Sequence, residues 1–266
     1  MDLIQLVILA IVQALTEFLP VSSSGHLGLA GFFFGWEYQG VLVDLMLHFG
    51  TLIAVLVYFR RDLGELLRAG FAVRPGRPLD PGQRLALGIL VATVPAVVVG
   101  VMLGTDAAQL RHPLLIAAML MAFGLVLGAA DRFGEKQRGL ASIDFKDALL
   151  IGAAQALALI PGVSRSGICI TAGLLLGLNR ECAARYAFLL AVPITVAACL
   201  HGGMQAVQDG HELKPIHFLL GIGVSALFGM GCIHLLLGVL RRFGTAPFVA
   251  YRLVLGVIVV GLYFLR

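Results

Sequence analysis

Gln13 and Glu17 stand one helical turn apart, so on a helix their side chains share a face. The run that follows, Pro20-Val21-Ser22-Ser23-Ser24-Gly25-His26, places hydroxyls and an imidazole just beyond that carboxylate. Much later in the chain, Pro161-Gly162-Val163-Ser164-Arg165-Ser166-Gly167, followed by Thr171, sets a guanidinium between serines. A guanidinium is a planar fork of donors suited to phosphate, and Ser164 and Ser166 can donate further hydrogen bonds. A hydroxyl such as Ser23 can attack phosphorus while Glu17 or His26 takes its proton, and the donors stabilise charge developing on the phosphoryl oxygens. The chemistry these residue types imply is phosphoryl transfer or hydrolysis, provided that something brings the two runs together.

Each residue also has a plainer use. Glu17 and Arg165 can form a structural ion pair, and His26 can brace the turn. Ser22, Ser23, Ser24, Ser164 and Ser166 can satisfy backbone groups, as serines do in turns. Gln13 and Gln155 can serve as interhelical hydrogen-bond glue. His48, in Leu47-His48-Phe49-Gly50-Thr51, reads as packing.

What must position these residues is a membrane protein. The 266 residues are 59% hydrophobic and only 13% charged, with a mean hydropathy of +0.97, far from the balance of a water-soluble domain. Apolar stretches at 41–59, 85–104, 114–130, 186–206, 218–240 and 248–265 are each about long enough to cross roughly 30 Å of hydrocarbon as helix. The 33 glycines suit close helix approach in lipid. The first apolar stretch, from Leu3 to Ala14, lacks a basic leader region and runs into serines where a cleavage site would stand, so it is expected in the mature protein. Cys169, Cys182, Cys199 and Cys232 lie in or beside apolar segments without CxxC spacing, which favours buried small hydrophobes over zinc or disulfides. The net charge of +4 does not imply nucleic acid, because no basic patch with interleaved aromatics occurs.

The basic residues instead follow the positive-inside rule. Arg60, Arg61, Arg68, Arg74, Arg77 and Arg84 bracket one loop, Arg132, Lys136, Arg138 and Lys146 lie in another, and Arg180, Arg185, Arg241 and Arg242 flank later ones. The loops at 105–113 and 207–217 carry only Arg111 and Lys214. Six spans then alternate with both termini outside.

The chain also repeats itself. Gln13-Ala14-Leu15 and Val21-Ser22-Ser23-Ser24-Gly25 recur as Gln155-Ala156-Leu157 and Val163-Ser164-Arg165-Ser166-Gly167 at a constant offset of 142, and Leu87-Gly88-Ile89 is echoed by Leu220-Gly221-Ile222 at an offset of 133. Each half carries three spans. An odd number forces the second half to enter from the opposite side, the inverted-repeat arrangement of many transporters. Residues 3–34 and 148–178 are broken by Pro20 and Pro161-Gly162, and backbone freed in this way persists at membrane depth only within protein or facing water. The expected fold is all-α: six transmembrane helices plus two re-entrant helix hairpins whose tips meet near the midplane. It divides into repeats 1–135 and 136–266 of one membrane domain, joined by the charged stretch 131–147. Helix N-termini after the turns would then aim free N–H groups and positive dipole ends at one point, an anion site. A transporter or flippase of a lipid phosphate or another anion is the rival reading, since this architecture serves transport equally well. Transport needs donors, however, and no nucleophile or base.

The motifs Gln13-x-x-x-Glu17, Thr16-Glu17-Phe18-Leu19-Pro20-Val21-Ser22-Ser23-Ser24-Gly25-His26 and Pro161-Gly162-Val163-Ser164-Arg165-Ser166-Gly167-x3-Thr171, with their order and separation, resemble the bacterial undecaprenyl-pyrophosphate phosphatases of the bacitracin-resistance type. The resemblance implies an enzyme of the bacterial cytoplasmic (inner) membrane that removes the terminal phosphate from a C55 polyprenyl pyrophosphate. It thereby recycles the lipid carrier of wall synthesis and confers bacitracin resistance. It implies Glu17, Ser23, His26 and Arg165 as catalytic, with Ser23 the nucleophile and His26 the alternative nucleophile or general acid. Gln13, Ser22, Ser24, Ser164, Ser166 and Thr171 would bind substrate. It also implies a divalent cation, Mg²⁺ or Ca²⁺, with Glu17 the carboxylate at hand and the pyrophosphate supplying most ligands. Many relatives carry Glu where this chain has Gln13, which shifts weight onto Glu17. The partners implied are the polyprenyl pyrophosphate and membrane lipids, and the site is expected to open to the periplasmic or external face. A homodimer is left open, because nothing in the sequence fixes the oligomeric state.

Overall fold

The computed structural model describes residues 2–103, 110–208 and 214–265. Residues 105–109 and 209–213, which belong to the two loops expected to be poor in charge, and residue 104 at the end of the second expected span lie outside the described residues. Regular structure among the described residues is helical, apart from an isolated bridge between Arg138 and Leu178.

The N-terminal hairpin is α1 (Leu3–Phe18) and α2 (Ser23–Phe34). Asp2 caps α1 through a reciprocal pair with Gln5, which satisfies donors that the first turn leaves free. The helix stops where Pro20 forces Leu19 into extended backbone. Gly35, in the left-handed region, ends α2. The second hairpin is α7 (Phe145–Ala156), a short 3-10 turn at Leu157–Leu159, and α8 (Arg165–Leu175). It begins three residues before the expected boundary, because Asp144 and Asp147 form a capping box ahead of Ala148.

Six helices are long and apolar enough to cross a bilayer: α3 (Val41–Tyr58), α5 (Pro81–Leu103), α6 (Pro113–Phe133), α9 (Arg180–Gln208), α10 (Pro215–Phe243) and α11 (Ala246–Leu265). Each matches one expected span. Large apolar side chains such as Val101, Leu200, Leu219 and Val257 are exposed on their outer faces, as a multi-pass membrane protein requires. Cys169 and Cys232 are buried, whereas Cys182 and Cys199 are only partly so. The stretch after Arg60 is not a plain loop. Arg60–Phe71 forms α4, an amphipathic helix without a buried residue, which Arg185 holds through Asp62 at 2.5 Å.

The halves interlock. Helix α1 packs on α10 of the other half, and its counterpart α7 packs on α5 of the first; α3 meets α10 and α9, α9 meets α5, and α6 meets α11. Exchanging the halves maps this set of pairings onto itself. The charged stretch between the halves is a clamp and not a loose linker: Arg138 holds Asp147 at the base of α7 and the carbonyl of Leu176 at the end of α8. Asp131, buried in the last turn of α6, takes Arg180 at 2.6 Å and both the N–H and the hydroxyl of Thr245 at 3.0 Å.

Candidate active site

The two turns have the same local build. Ser22 and Ser164 have φ of 77° and 74°, in the left-handed region that serine rarely adopts. Each is the N-cap of the helix that follows, its Oγ accepting the N–H of Gly25 or Gly167 at 3.2 Å. Each Oγ also lies near the hydroxyl two residues on, Ser24 at 3.4 Å and Ser166 at 3.3 Å. Such strain persists only where surrounding contacts over-determine it.

Those contacts come from the opposite turn. The Gly162 N–H donates to Ser22 Oγ at 3.2 Å, and Ser166 Oγ donates to the Leu19 carbonyl at 3.2 Å. Gly162, at φ +97°, presses against the backbone of Ile116 in α6, where a side chain would collide with the Ile116 carbonyl 2.6 Å away. The expected meeting of the tips is therefore a set of named bonds.

Glu17 lies at the seam and is buried. Arg165, half a chain away, donates to its Oε1 at 2.7 Å. Ser23 Oγ donates to its Oε2 at 2.6 Å, and Gln13 Nε2 does so at 3.1 Å from one turn back. A fourth group, His48 of α3, approaches Oε2 with Nε2 at 3.4 Å. The other nitrogen of His48 donates to the Asp44 carbonyl at 2.7 Å, so both ring nitrogens face acceptors, a geometry that suits the imidazolium. Among the described residues Arg165 makes one other hydrogen bond, NH1 to the Ala187 carbonyl at 3.1 Å, so several of its donors have no partner there and can serve a ligand. One carboxylate thus has a guanidinium on one oxygen and an imidazole beside the other.

The residues singled out from the sequence thus divide. Gln13, Glu17, Ser23 and Arg165 form one constellation. Ser22, Ser164 and Ser166 hold the turns, and half-exposed Ser24 stands beside them. Thr171 spends its hydroxyl on the Gly167 carbonyl at 2.7 Å, within its own helix. His26 is engaged at both nitrogens, Nδ1 with the Ser22 carbonyl and Nε2 with the Tyr251 hydroxyl, each at 2.7 Å. Gln155, the counterpart of Gln13, reaches the Ala92 carbonyl at 3.5 Å, consistent with glue between α7 and α5.

His48 corrects the sequence reading, in which it was packing: it is the second basic side chain on Glu17. The signal was present, since an ionisable side chain in an apolar helix needs a partner whichever residue type it is. Arg252 and Tyr251 of α11, which no motif marks, also reach the turns.

A divalent cation held by protein alone does not fit at Glu17. Both of its oxygens already face donors, the Arg165 guanidinium among them, and among the described residues no group of three or more His, Cys, Asp or Glu could hold a metal.

The chain is similar throughout to proteins named undecaprenyl-diphosphatase. A chain from Idiomarina loihiensis named undecaprenyl-diphosphatase is 45% identical over 266 residues, covering 99% of this chain and 100% of the relative. One of the same name from Geobacter metallireducens is 47% identical over 255 residues, 94% of each chain. Undecaprenyl-diphosphatase 2 of Stutzerimonas stutzeri is 46% identical over 267 residues, 99% of each. The model of the family described as bacitracin resistance protein BacA matches residues 6–258, a span that includes both turns and Arg252, and the chain belongs to that family.

Proposed function

We propose that this protein is an integral membrane phosphatase that hydrolyses undecaprenyl pyrophosphate to undecaprenyl phosphate and inorganic phosphate, recycling the wall-synthesis carrier and conferring bacitracin resistance. The observation that carries the reading is the 2.6 Å contact between Ser23 Oγ and Glu17, with Arg165 on the other oxygen of the same carboxylate. A nucleophile, a base and a phosphate clamp then share one buried point. Ser23 Oγ attacks the terminal phosphorus, its proton passes to Glu17, and the bond to the bridging oxygen breaks to release the polyprenyl phosphate. The polyprenyl phosphate leaves with that proton, which restores the Glu17 carboxylate; water then attacks the phosphoserine as Glu17 takes its proton, and Glu17 returns that proton to Ser23 Oγ as the P–Oγ bond breaks to release inorganic phosphate. Arg165 and the N–H groups at the starts of α2 and α8 stabilise charge on the phosphoryl oxygens. Ser22, Ser24, Ser164 and Ser166 shape the phosphate cradle, with Thr171 supporting it from within α8. His26, engaged at both nitrogens, is the weaker candidate for nucleophile. Mg²⁺ or Ca²⁺ would take most of its ligands from the substrate's pyrophosphate oxygens and would help to neutralise their charge.

In this reading 1–135 and 136–266 are inverted repeats in the bacterial cytoplasmic membrane. Their hairpins are re-entrant, both termini are external, and the site is reached from the periplasmic or external face. Ser24→Cys should accordingly react with an impermeant thiol reagent from outside; labelling from inside only would reverse the orientation. The flippase reading leaves the Ser23–Glu17 contact without a use. The deciding experiment is inorganic phosphate release from a long-chain prenyl pyrophosphate by the purified protein, with and without chelator, beside Arg165→Ala. Release by wild type and its loss in a folded Arg165→Ala protein support the enzyme. No release by wild type moves the reading to transport.

A further inference from the structure

Arg252 lies within apolar α11 and is wholly buried. No carboxylate among the described residues pairs with it. Its hydrogen bonds among the described residues all go to backbone carbonyls: Nε to Leu120 at 2.9 Å, NH1 to Pro20 at 3.2 Å, and NH2 to Met119, Gly162 and Val163 at 3.2, 2.9 and 3.1 Å. Pro20 belongs to the first turn, Gly162 and Val163 to the second, and Met119 and Leu120 to α6. One guanidinium thus holds the backbone of both catalytic turns and the helix against which they rest.

A cation buried without a counter-ion is expensive, and a buried scaffold could be built without one. Two features show what this one is suited to do. Pro20 and Pro161-Gly162 interrupt their helices and leave carbonyls that must find donors, which Arg252 supplies from within the protein. In a trans peptide the N–H points opposite to the C=O, so the peptide linking Val163 to Ser164 turns its N–H away from Arg252. Arg252 is fully enclosed, so it cannot touch a substrate as Arg165 can; its influence must pass through the turns.

We propose that Arg252 is the positioning residue of the phosphate site: by binding carbonyls of both turns it fixes Ser23 and Arg165 relative to each other, and its uncompensated charge favours an anion between them. The inference rests on the phosphatase reading above.

Gly124 and Gly128, both on α6 facing α11, allow a test that leaves Arg252 and both turns in place. A Cβ at Gly124 would stand 3.2 Å from Cβ and 3.4 Å from Nε of Arg252, whereas one at Gly128 would meet Val249 at 3.3 Å. The two substitutions crowd the same interface to a similar degree, but only the first presses on Arg252. Gly124→Ala is expected to lower kcat by about 10-fold or more, since displacements below 1 Å at a reacting centre have effects of that order, with KM little changed and a melting temperature matching that of Gly128→Ala. Gly128→Ala should keep kcat near wild type. Equal kcat in the two variants would overturn the proposal. Arg252→Lys, which keeps the charge and loses the fork, should show the same fall in kcat, and Arg252→Gln should in addition weaken competitive inhibition by inorganic phosphate. Wild-type kcat in a folded Arg252→Lys protein would also overturn it. Should wild type itself show no turnover, the phosphatase reading fails alone, and thermal stabilisation by inorganic pyrophosphate, greater in Gly128→Ala than in Gly124→Ala or equal in both, decides on Arg252.

Discussion

Replacing Glu17 by Gln separates the two functions its carboxylate combines. The amide has nearly the same shape and retains an oxygen for Arg165, whose NH2 now donates at 2.7 Å. It loses the ability to accept a proton from Ser23, whose hydroxyl now lies 2.6 Å from Oε2. Loss of a general base lowers turnover by about 10²- to 10⁴-fold, which corresponds to roughly 2.7–5.4 kcal/mol of transition-state stabilisation. The electrostatics of binding change in the opposite sense. Glu17 is the anion that neutralises Arg165 and faces His48, so its removal leaves the Arg165 charge to the incoming pyrophosphate and takes away a like charge. The expected result is a large fall in kcat with a KM that holds or drops.

The assay is phosphate release by the detergent-solubilised protein across a substrate series, with Ser23→Ala and the double variant alongside. If Glu17 acts through Ser23, the double variant should be about as slow as the worse single variant, because parts of one catalytic unit are not additive. Three results would refute the reasoning: a kcat within about 10-fold of wild type, a loss confined to KM, or strict additivity of the two substitutions. Any of them would mean that the short Ser23–Glu17 bond is a structural contact.

His48→Ala should lower turnover, and His48→Gln, which can still donate to Glu17, should recover part of it; equal loss in the two would assign His48 a role beyond holding the carboxylate. Ser22→Ala removes a cap and the bond from Gly162, and denaturant or thermal melts should show a loss of about 1–2 kcal/mol. Gly50→Ala would set a Cβ 2.6 Å from Ser225 Cβ and 2.7 Å from the Ile222 carbonyl, forcing α3 from α10. Its melting temperature should fall, on the scale of overpacking, about 1–3 kcal/mol, and an unchanged value would mean that the interface adjusts freely.

Much of this site could be read from the sequence because membrane burial makes polar groups informative. Glu17 and Arg165 were visible as charges in apolar surroundings, Gln13 by its spacing from Glu17, and the hairpins by Pro20 and Pro161-Gly162. His48 and Arg252 obey the same rule. His48 reads as packing and Arg252 carries no signal because each stands alone in an otherwise ordinary span, with no neighbouring motif to suggest a partner. Their partners are non-local: Glu17 lies on another helix, and the carbonyls that Arg252 binds come from three separate segments. Backbone acceptors leave no trace in residue type. Helix α4 was missed for a different reason, since its arginines read as loop charge while Leu63, Leu66 and Leu67 on one face formed too short a pattern to mark a span.

The repeat also accounts for how one local motif comes to hold two kinds of chemistry. Ser23 and Arg165 occupy equivalent positions at the offset of 142, each the first residue of a helix capped by a serine at positive φ. The turn geometry depends on the cap, on the glycine three residues after it and on the opposite turn, so the residue at this position is free to vary. In one half it is a small hydroxyl, in the other a long cation that crosses the seam to Glu17. The position equivalent to Glu17 is Leu159, in the short 3-10 turn, so the second half has no carboxylate of its own. A symmetric pair of turns with serine or arginine at both positions would supply either two hydroxyls without a clamp or two clamps without the hydroxyl that meets Glu17. Asymmetry at one equivalent position, held in place by near-symmetric backbone, gives the constellation both groups within reach of a single carboxylate.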